Sequence, residues 1–181
     1  MSLPAHVERV RTIELPSPQI RRDGILQISG KLDLKMGGPS VMQFHFLDPD
    51  PGLTPKVDYA KFDVDHPDNF RRSVYRYLFR TLPDPFMDSL DCADASQLTP
   101  ARNQSVTALQ AMSLLNNRFV IRQCDHIAAR VGSRVDELYR RALQRAPTAE
   151  EARALSAYAE KNGMSNACRM LLNSNEFLFL D

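Results

Sequence analysis

The clearest signal in the chain is the alternation of apolar and polar positions over its last 75 or so residues. Ala108, Ala111, Met112, Leu115 and Phe119 recur at three- and four-residue steps, and Val120, Cys124, Ile127, Ala128 and Val131 repeat the rhythm. That spacing puts one apolar stripe on each of two helices, with Gly132 as a stop. Ser133 is placed to cap a third helix whose face is Val135, Leu138, Tyr139, Ala142, Leu143 and Ala146, and Pro147 ends it. Thr148-Ala149-Glu150-Glu151 reads as a capping box opening a fourth helix, closed by Gly163. A fifth starts near Ser165 with Ala167, Cys168 and Leu171 inward. The apolar ending Phe177-Leu178-Phe179-Leu180 is expected to dock against the fold.

The first 82 residues carry a different pattern. Pro4, Pro16 and Pro18 break any period in residues 1–24, which predicts an extended arm. A helical turn is expected over Ile25 to Ser29, a loop at Gly37-Gly38-Pro39, and a short strand over Val41 to Phe46. From 57 to 80, two β-branched and aromatic runs flank Asp65-His66-Pro67-Asp68-Asn69 and suggest a hairpin. In the second run Tyr75, Tyr77 and Phe79 alternate with Arg76, Leu78 and Arg80, which favours a strand over the competing helical spacing.

The predicted fold class is therefore α+β, mostly α: a C-terminal bundle of about five helices with a small antiparallel hairpin or three-stranded sheet near residues 41–82. After the arm, residues 25–181 form one domain, divided into a β-containing lobe (25–82), a loop (83–106) and a helical lobe (107–181). The opening residues read like mid-protein text, so a longer parent chain is expected.

Charge sharpens this picture. Residues 1–70 hold 8 basic against 10 acidic residues, 71–145 hold 12 against 7, and 146–181 hold 3 against 5. All 12 basic residues of the middle segment are Arg, suited to forked contacts with carboxylates and carbonyls. A nucleic-acid footprint would be stronger and carry a reading motif, so no nucleic-acid partner is expected. No run approaches the ~18 apolar residues that span a bilayer, and a soluble, non-inserting chain is the expectation.

Strong chemical motifs are missing from the sequence: there is no Gly-x-Ser-x-Gly, Gly-x-Gly-x-x-Gly, P-loop, His-Glu-x-x-His or Cys-x-x-Cys-His. His6, His45, His66 and His126 are widely separated, and no metal site, cofactor or catalytic residue is assigned. Cys124 and Cys168 fall on apolar helix faces and read as buried thiols, with pairing between them left open. The candidate surface is the basic, aromatic strip Arg72, Tyr75, Arg76 and Arg80, facing the polar loop that carries Asp91, Asp94 and Arg102. Ordering ~20 loop residues costs ~1 to 2 kcal/mol each. Arginines of the strip and of the loop itself are therefore expected to hold the loop, with Arg72, Arg80 or Arg102 bonding Asp84, Asp91, Asp94 or nearby carbonyls.

Four strings, RDGILQISGKLDLKMGGPSV, FRRSVYRYLFRTLPDPFMDSLDCADASQLTPARNQSVTALQAMSLLNNRFV, RALQRAPTAEEARAL and ACRMLLNSNEFLFLD, appear in this order. Together they resemble the C-terminal part of the planctomycete-type domain of unknown function, over roughly residues 20 to 181. That family lies at the end of large exported proteins, many of which begin with what is described as a haem c module. The resemblance implies an exported or periplasmic bacterial setting and, by association only, a cytochrome c neighbour. It brings no catalytic residues. The expected function is a non-catalytic binding or assembly module that packs on the upstream region of its parent or on an envelope protein, with carbohydrate as a possible ligand. The alternative is part of a hydrolytic or carbohydrate-processing enzyme whose site is shared with an upstream region.

Overall fold

A computed structural model describes residues 17–48, 55–93 and 107–178. Over these residues the chain is mostly helical, with one two-stranded antiparallel hairpin, in agreement with the fold class read from the sequence.

The first helix corrects the expected arm at its C-terminal end. Helix α1 spans Pro18–Ser29: the Ser17 hydroxyl caps it by accepting from the Ile20 amide (3.4 Å), and Pro18 sits in its first turn. Proline lacks an amide hydrogen that this position would leave unpaired anyway, and its fixed φ suits helix entry. Pro18 thus starts the helix instead of breaking it. The rest of the expected arm, residues 1–16, lies outside the described residues. Gly30 ends α1 at φ 77°, where an added Cβ would collide with the Arg130 side chain.

The helical lobe follows the sequence pattern except over residues 108–116, where the expected stripe is not the buried face: Ala108 and Met112 are exposed, and Gln110 and Leu114 are buried instead. Its helices are α3 (Ala108–Asn116), α4 (Arg118–Val131), α5 (Val135–Leu143), α6 (Ala149–Asn162) and α7 (Met164–Leu172), with a short α8 (Asn175–Leu178). The α4 stripe of Val120, Cys124, Ile127 and Val131 meets Ala167, Cys168, Leu171 and Leu172 of α7, Leu138 of α5, and Ile25 and Leu26 of α1 in one core. Cys124 and Cys168 are fully buried and unbridged, and burial pushes both thiols above their ordinary range, Cys168 to about 12. Phe177 and Leu178 pack on the same core, as expected of the C-terminal run; residues 179–181 lie outside the described residues.

Two boundaries differ from expectation. Arg134, not Ser133, occupies the cap position of α5 and makes no side-chain cap bond; the positive φ of Gly132 (62°) carries the turn there. Helix α5 also stops at Leu143, because Gln144 turns left-handed (φ 57°) before Pro147 is reached. The capping box of α6 forms as read: Glu151 accepts from the Thr148 amide (2.7 Å) and donates its own amide to the Thr148 hydroxyl (3.2 Å).

The small lobe has less strand than its residues suggest. The ladder is β1 (His45–Phe46) against β2 (Val57–Asp58), with His45 opposite Asp58. Val41 and Asp33 make single parallel bridges, to Arg76 and Arg71 respectively. The expected strand near 70–82 is instead two 3-10 turns, Pro67–Phe70 and Ser73–Tyr75, with extended links. The cause is a tertiary anchor: Asp23 of α1 accepts from both the amide and the hydroxyl of Ser73 (2.7 Å each) and turns the chain there. The aromatic residues then gather around buried Phe44, which meets Phe46, Tyr59, Tyr77 and Phe79 at ring separations of 5.3 to 6.0 Å.

Residues expected as the start of a long loop form α2 (Pro85–Ser89), with the Asp84 carboxylate as cap, accepting from the Phe86 amide (2.9 Å). Among the described residues no helix is long and apolar enough to cross a membrane. Among the same residues, no group of three or more His, Cys, Asp or Glu is placed to hold a metal ion.

Candidate functional site

The small lobe is tied together by arginines that donate to backbone carbonyls. Arg22 of α1, with a side chain only 3% exposed, donates to the Asn69 carbonyl and side chain, to the Arg71 carbonyl (3.1 Å) and to the Ser73 hydroxyl (3.4 Å). Burial pushes its pKa down to about 9; nearby Arg76 adds to this, and Asp23 and Asp84 oppose it. Arg71 donates to the carbonyls of Gly37 (2.7 Å) and Pro39 (3.0 Å) and stacks on the Tyr75 ring at 4.0 Å. The Tyr75 hydroxyl accepts from the Gly37 amide (2.7 Å), so Arg71 and Tyr75 clamp the Gly37-Gly38-Pro39 loop from two sides. Both glycines have positive φ (76° and 86°), which lets the backbone present those groups to the clamp.

The residues singled out from the sequence scatter around this clamp. Arg72 is exposed and reaches Asp23 of α1 at 3.9 Å. Tyr75 belongs to the clamp. Arg76, whose side chain is 7% exposed, bonds Gln43 and pairs with Asp84. Arg80 is exposed and borders a groove with Asp84 and Asp88. Asp91, at φ 63°, accepts from Gln110 (2.8 Å) and thereby joins the end of α2 to α3. Asp94 and Arg102 lie outside the described residues. Of the donors expected to hold the loop, Arg72 meets Asp23 of α1 and Arg102 lies outside the described residues; the arginine that pairs with Asp84 is Arg76, which is not among them. With no strand here, Arg72, Arg76 and Arg80 do not share one pleated face.

The Arg76–Asp84 pair forms one wall of a groove of about 440 Å³. Tyr59, Tyr77, Phe79 and Met87 supply its apolar surface, and Arg80 and Asp88 its polar edge. The Tyr59 hydroxyl donates to the Leu82 carbonyl (2.7 Å); burial first, then the Asp84 charge, raises its pKa to about 12. Tyr59 is therefore a neutral donor through the physiological range. Half-buried Cys92 also borders the groove and accepts from Gln19 (3.2 Å). The groove offers flat aromatic faces, a guanidinium and carboxylates side by side, a set that can hold a polypeptide segment or a polyhydroxylated ligand.

Sequence reasoning passed over Arg22, Gln43 and Tyr59, and saw Arg71 only as a neighbour of the basic strip, not as a loop clamp. It also passed over the tie between lobes, where Asp65 accepts from His126 Nε2 (2.8 Å) and Arg122 Nε (2.7 Å). Desolvation acts to raise the Asp65 pKa, but those two bonds outweigh it and hold the carboxyl below its ordinary range. Partners of this kind lie 23 to 61 residues apart in sequence, and no local spacing announces them.

Comparison with known proteins yields one family. The model of the family described as PSD1, protein of unknown function (DUF1553), matches residues 5–159. No curated protein and no solved structure matches the chain.

Proposed function

Because the chain belongs to the PSD1 family of proteins of unknown function, we propose its role from its surfaces: it is a non-catalytic binding or assembly module. The observation that carries this reading is the aromatic and aliphatic edge left outward on the small lobe. Phe46, Leu47, Tyr77 and Leu78 are 41%, 50%, 44% and 59% exposed around the Phe44 cluster. Apolar groups clustered in this way, with polar groups at their border, suit a partner that covers them. The partner we propose is polypeptide, namely the upstream region of a longer parent chain or an envelope protein. The exported bacterial setting of this proposal rests on the resemblance of the sequence. Hydrogen exchange and solution mass of this chain against the full parent test it. Slower exchange of residues 41–47 and 74–80 in the parent is the expected result. Equal protection in both, with this chain monomeric, sinks the docking reading.

A second reading is favoured by one observation, the convergence of Arg76, Asp84 and Tyr59 on the groove. In it, the groove is one half of a hydrolytic or carbohydrate-processing site completed by an upstream region. Asp84→Asn in the parent separates the two. An abolished turnover with intact assembly favours the enzyme, and unchanged turnover removes this reading.

A further inference from the structure

The Arg76–Asp84 pair and Tyr59 also line a second cavity of about 250 Å³, between the small lobe and the start of α4. Its charged lining is uneven: Arg22, Arg76 and Arg118 stand against Asp84 alone. Two of these guanidiniums are deep, with side chains 3% and 7% exposed. Each repels the other, and the nearby Arg76 charge is among the causes that depress the Arg22 pKa. Buried like charges are costly unless a counter-charge lies between them. Asp84 answers Arg76, and Asp23, which does not line the cavity, answers Arg22 at 3.7 Å. Arg118 has no carboxylate within ion-pair distance among the described residues, and an anion from solution would answer it.

Donors remain for such an anion. Arg22 spends both terminal nitrogens on the protein and acts as fixed charge. Arg76 uses its Nε on Gln43 and one terminal nitrogen on Asp84, and its other terminal nitrogen makes no hydrogen bond among the described residues. Arg118 is exposed at the first position of α4 and reaches across the mouth to the Ala60 carbonyl, its one hydrogen bond among the described residues. Its remaining N–H groups are available in the planar fork that matches a carboxylate. The helix start behind it adds partial positive charge.

The other walls are aromatic. Phe62 and Phe86 are half-buried and Phe119 is buried, and all three line the space. Ligand sites commonly combine such apolar walls with a few convergent polar groups, and a cavity just below the usual ~300 to 1,000 Å³ fits a small molecule. We propose that this cavity is a binding site for a small aromatic carboxylate, with its ring among Phe62, Phe86 and Phe119 and its carboxylate on Arg118 and Arg76. The site shares Tyr59, Arg76 and Asp84 with the groove but uses none of Phe46, Leu47, Tyr77 or Leu78 of the docking face.

Benzoate, benzamide and acetate are the probes, titrated into this chain and followed by amide chemical shifts. Benzoate binds at least tenfold tighter than benzamide, which lacks the charge, and than acetate, which lacks the ring. Its shifts centre on Phe62, Phe86 and Asn117. Arg118→Gln, a change at an exposed side chain that leaves the core alone, weakens benzoate about tenfold and leaves benzamide unchanged. N-acetylphenylalanine distinguishes two sources of the same chemistry. Binding tighter than benzoate assigns the carboxylate to a chain end, and weaker binding assigns it to a free small molecule. Equal binding of benzoate and benzamide, an unchanged benzoate affinity in Arg118→Gln, or no saturable shift at the cavity overturns the proposal.

Discussion

In the helical lobe, α4 and α7 meet through Val120, Cys124, Ile127, Ala167, Cys168 and Leu171, with hardly a charged group in the seam. In the small lobe the equivalent joints are Arg22, Arg71 and Arg76, each donating into carbonyls, amides or a carboxylate. One half of the molecule is held by area removed from water and the other by directed bonds. Apolar contact is tolerant of detail and spread over many residues, whereas a fork of donors concentrates its effect in one side chain. The two lobes should therefore fail differently when cut.

The largest effect is expected from Leu138→Ala. Leu138 is fully buried at the centre of the shared core, and truncating a leucine there costs ~2 to 5 kcal/mol through lost transfer energy and a cavity. Because α5, α4 and α7 share that core, the loss should appear as one global shift of the thermal melt. A change below ~1 kcal/mol would mean that the lobe closes the gap and the contrast drawn here is too sharp.

Arg71→Ala should be smaller and local. It leaves the Gly37 and Pro39 carbonyls without their donor and the Tyr75 ring without its cation, and each orphaned polar group costs ~1 to 3 kcal/mol when water cannot reach it. The Lys35 to Pro39 loop opens to solvent, so the lower part of that range is expected. Hydrogen exchange should accelerate at Gly37 and at the bridge amides Val41 and Tyr77, while α4 and α7 keep their protection. Uniform acceleration across both lobes would show that they unfold as one unit. Arg71→Lys should rescue little, since an ammonium cannot reproduce the fork.

That difference in mechanism also explains what the sequence could reveal. Helices α4, α5 and α7 announce themselves because a buried stripe imposes a 3.6-residue period on its own segment, while Thr148 and Gly163 mark the boundaries of α6 with local chemistry. The small lobe has no such period. Its aromatic run around Tyr75 looks like a strand by composition, yet Asp23, fifty residues away, turns it at Ser73. Arg71 and Arg76 are neighbours in a basic strip by sequence, and only folding separates a loop clamp from a groove wall. Charge type was legible there, but the partners were not. Pro18 misled for a simpler reason: proline breaks a helix interior and begins a helix equally well, and only the cap at Ser17 decides between them.

Thr148→Ala probes the helical lobe at its most polar point. The hydroxyl that accepts from the Glu151 amide is lost, at ~1 kcal/mol for a helix cap. Since α6 buries no residue fully and rests on α5 and α7 through half-buried Leu155, the damage should be fraying of its first turn. Exchange should rise at Glu151 and Ala152 without a change at Leu138. Loss of protection in α7 as well would show that α6 supports the core more than its exposure suggests.

The smallest effect, and the one that tests whether directed bonds matter in the helical lobe at all, is the titration of Glu151. Arg145 donates to both of its carboxylate oxygens (2.6 and 2.8 Å) and the Thr148 amide adds a third bond. All three favour the charged form, and the carboxyl is held down to about 2 from an ordinary 4.5. A depressed folded value means that the contribution is complete above the unfolded value of 4.5, and is lost as pH falls through about 2. Glu151 lies at the surface, where salt and water screen the pair, so the change in stability over that window should be slight and should fade at high ionic strength. Carboxyl chemical shifts of Glu151 in low salt should show the depressed midpoint directly. Arg145→Gln should move it back towards 4.5, only in part, because the Thr148 amide bond persists. A low-salt midpoint at the ordinary value would mean that the Arg145 fork does not hold in solution, and the helical lobe would then rest on apolar contact and capping alone.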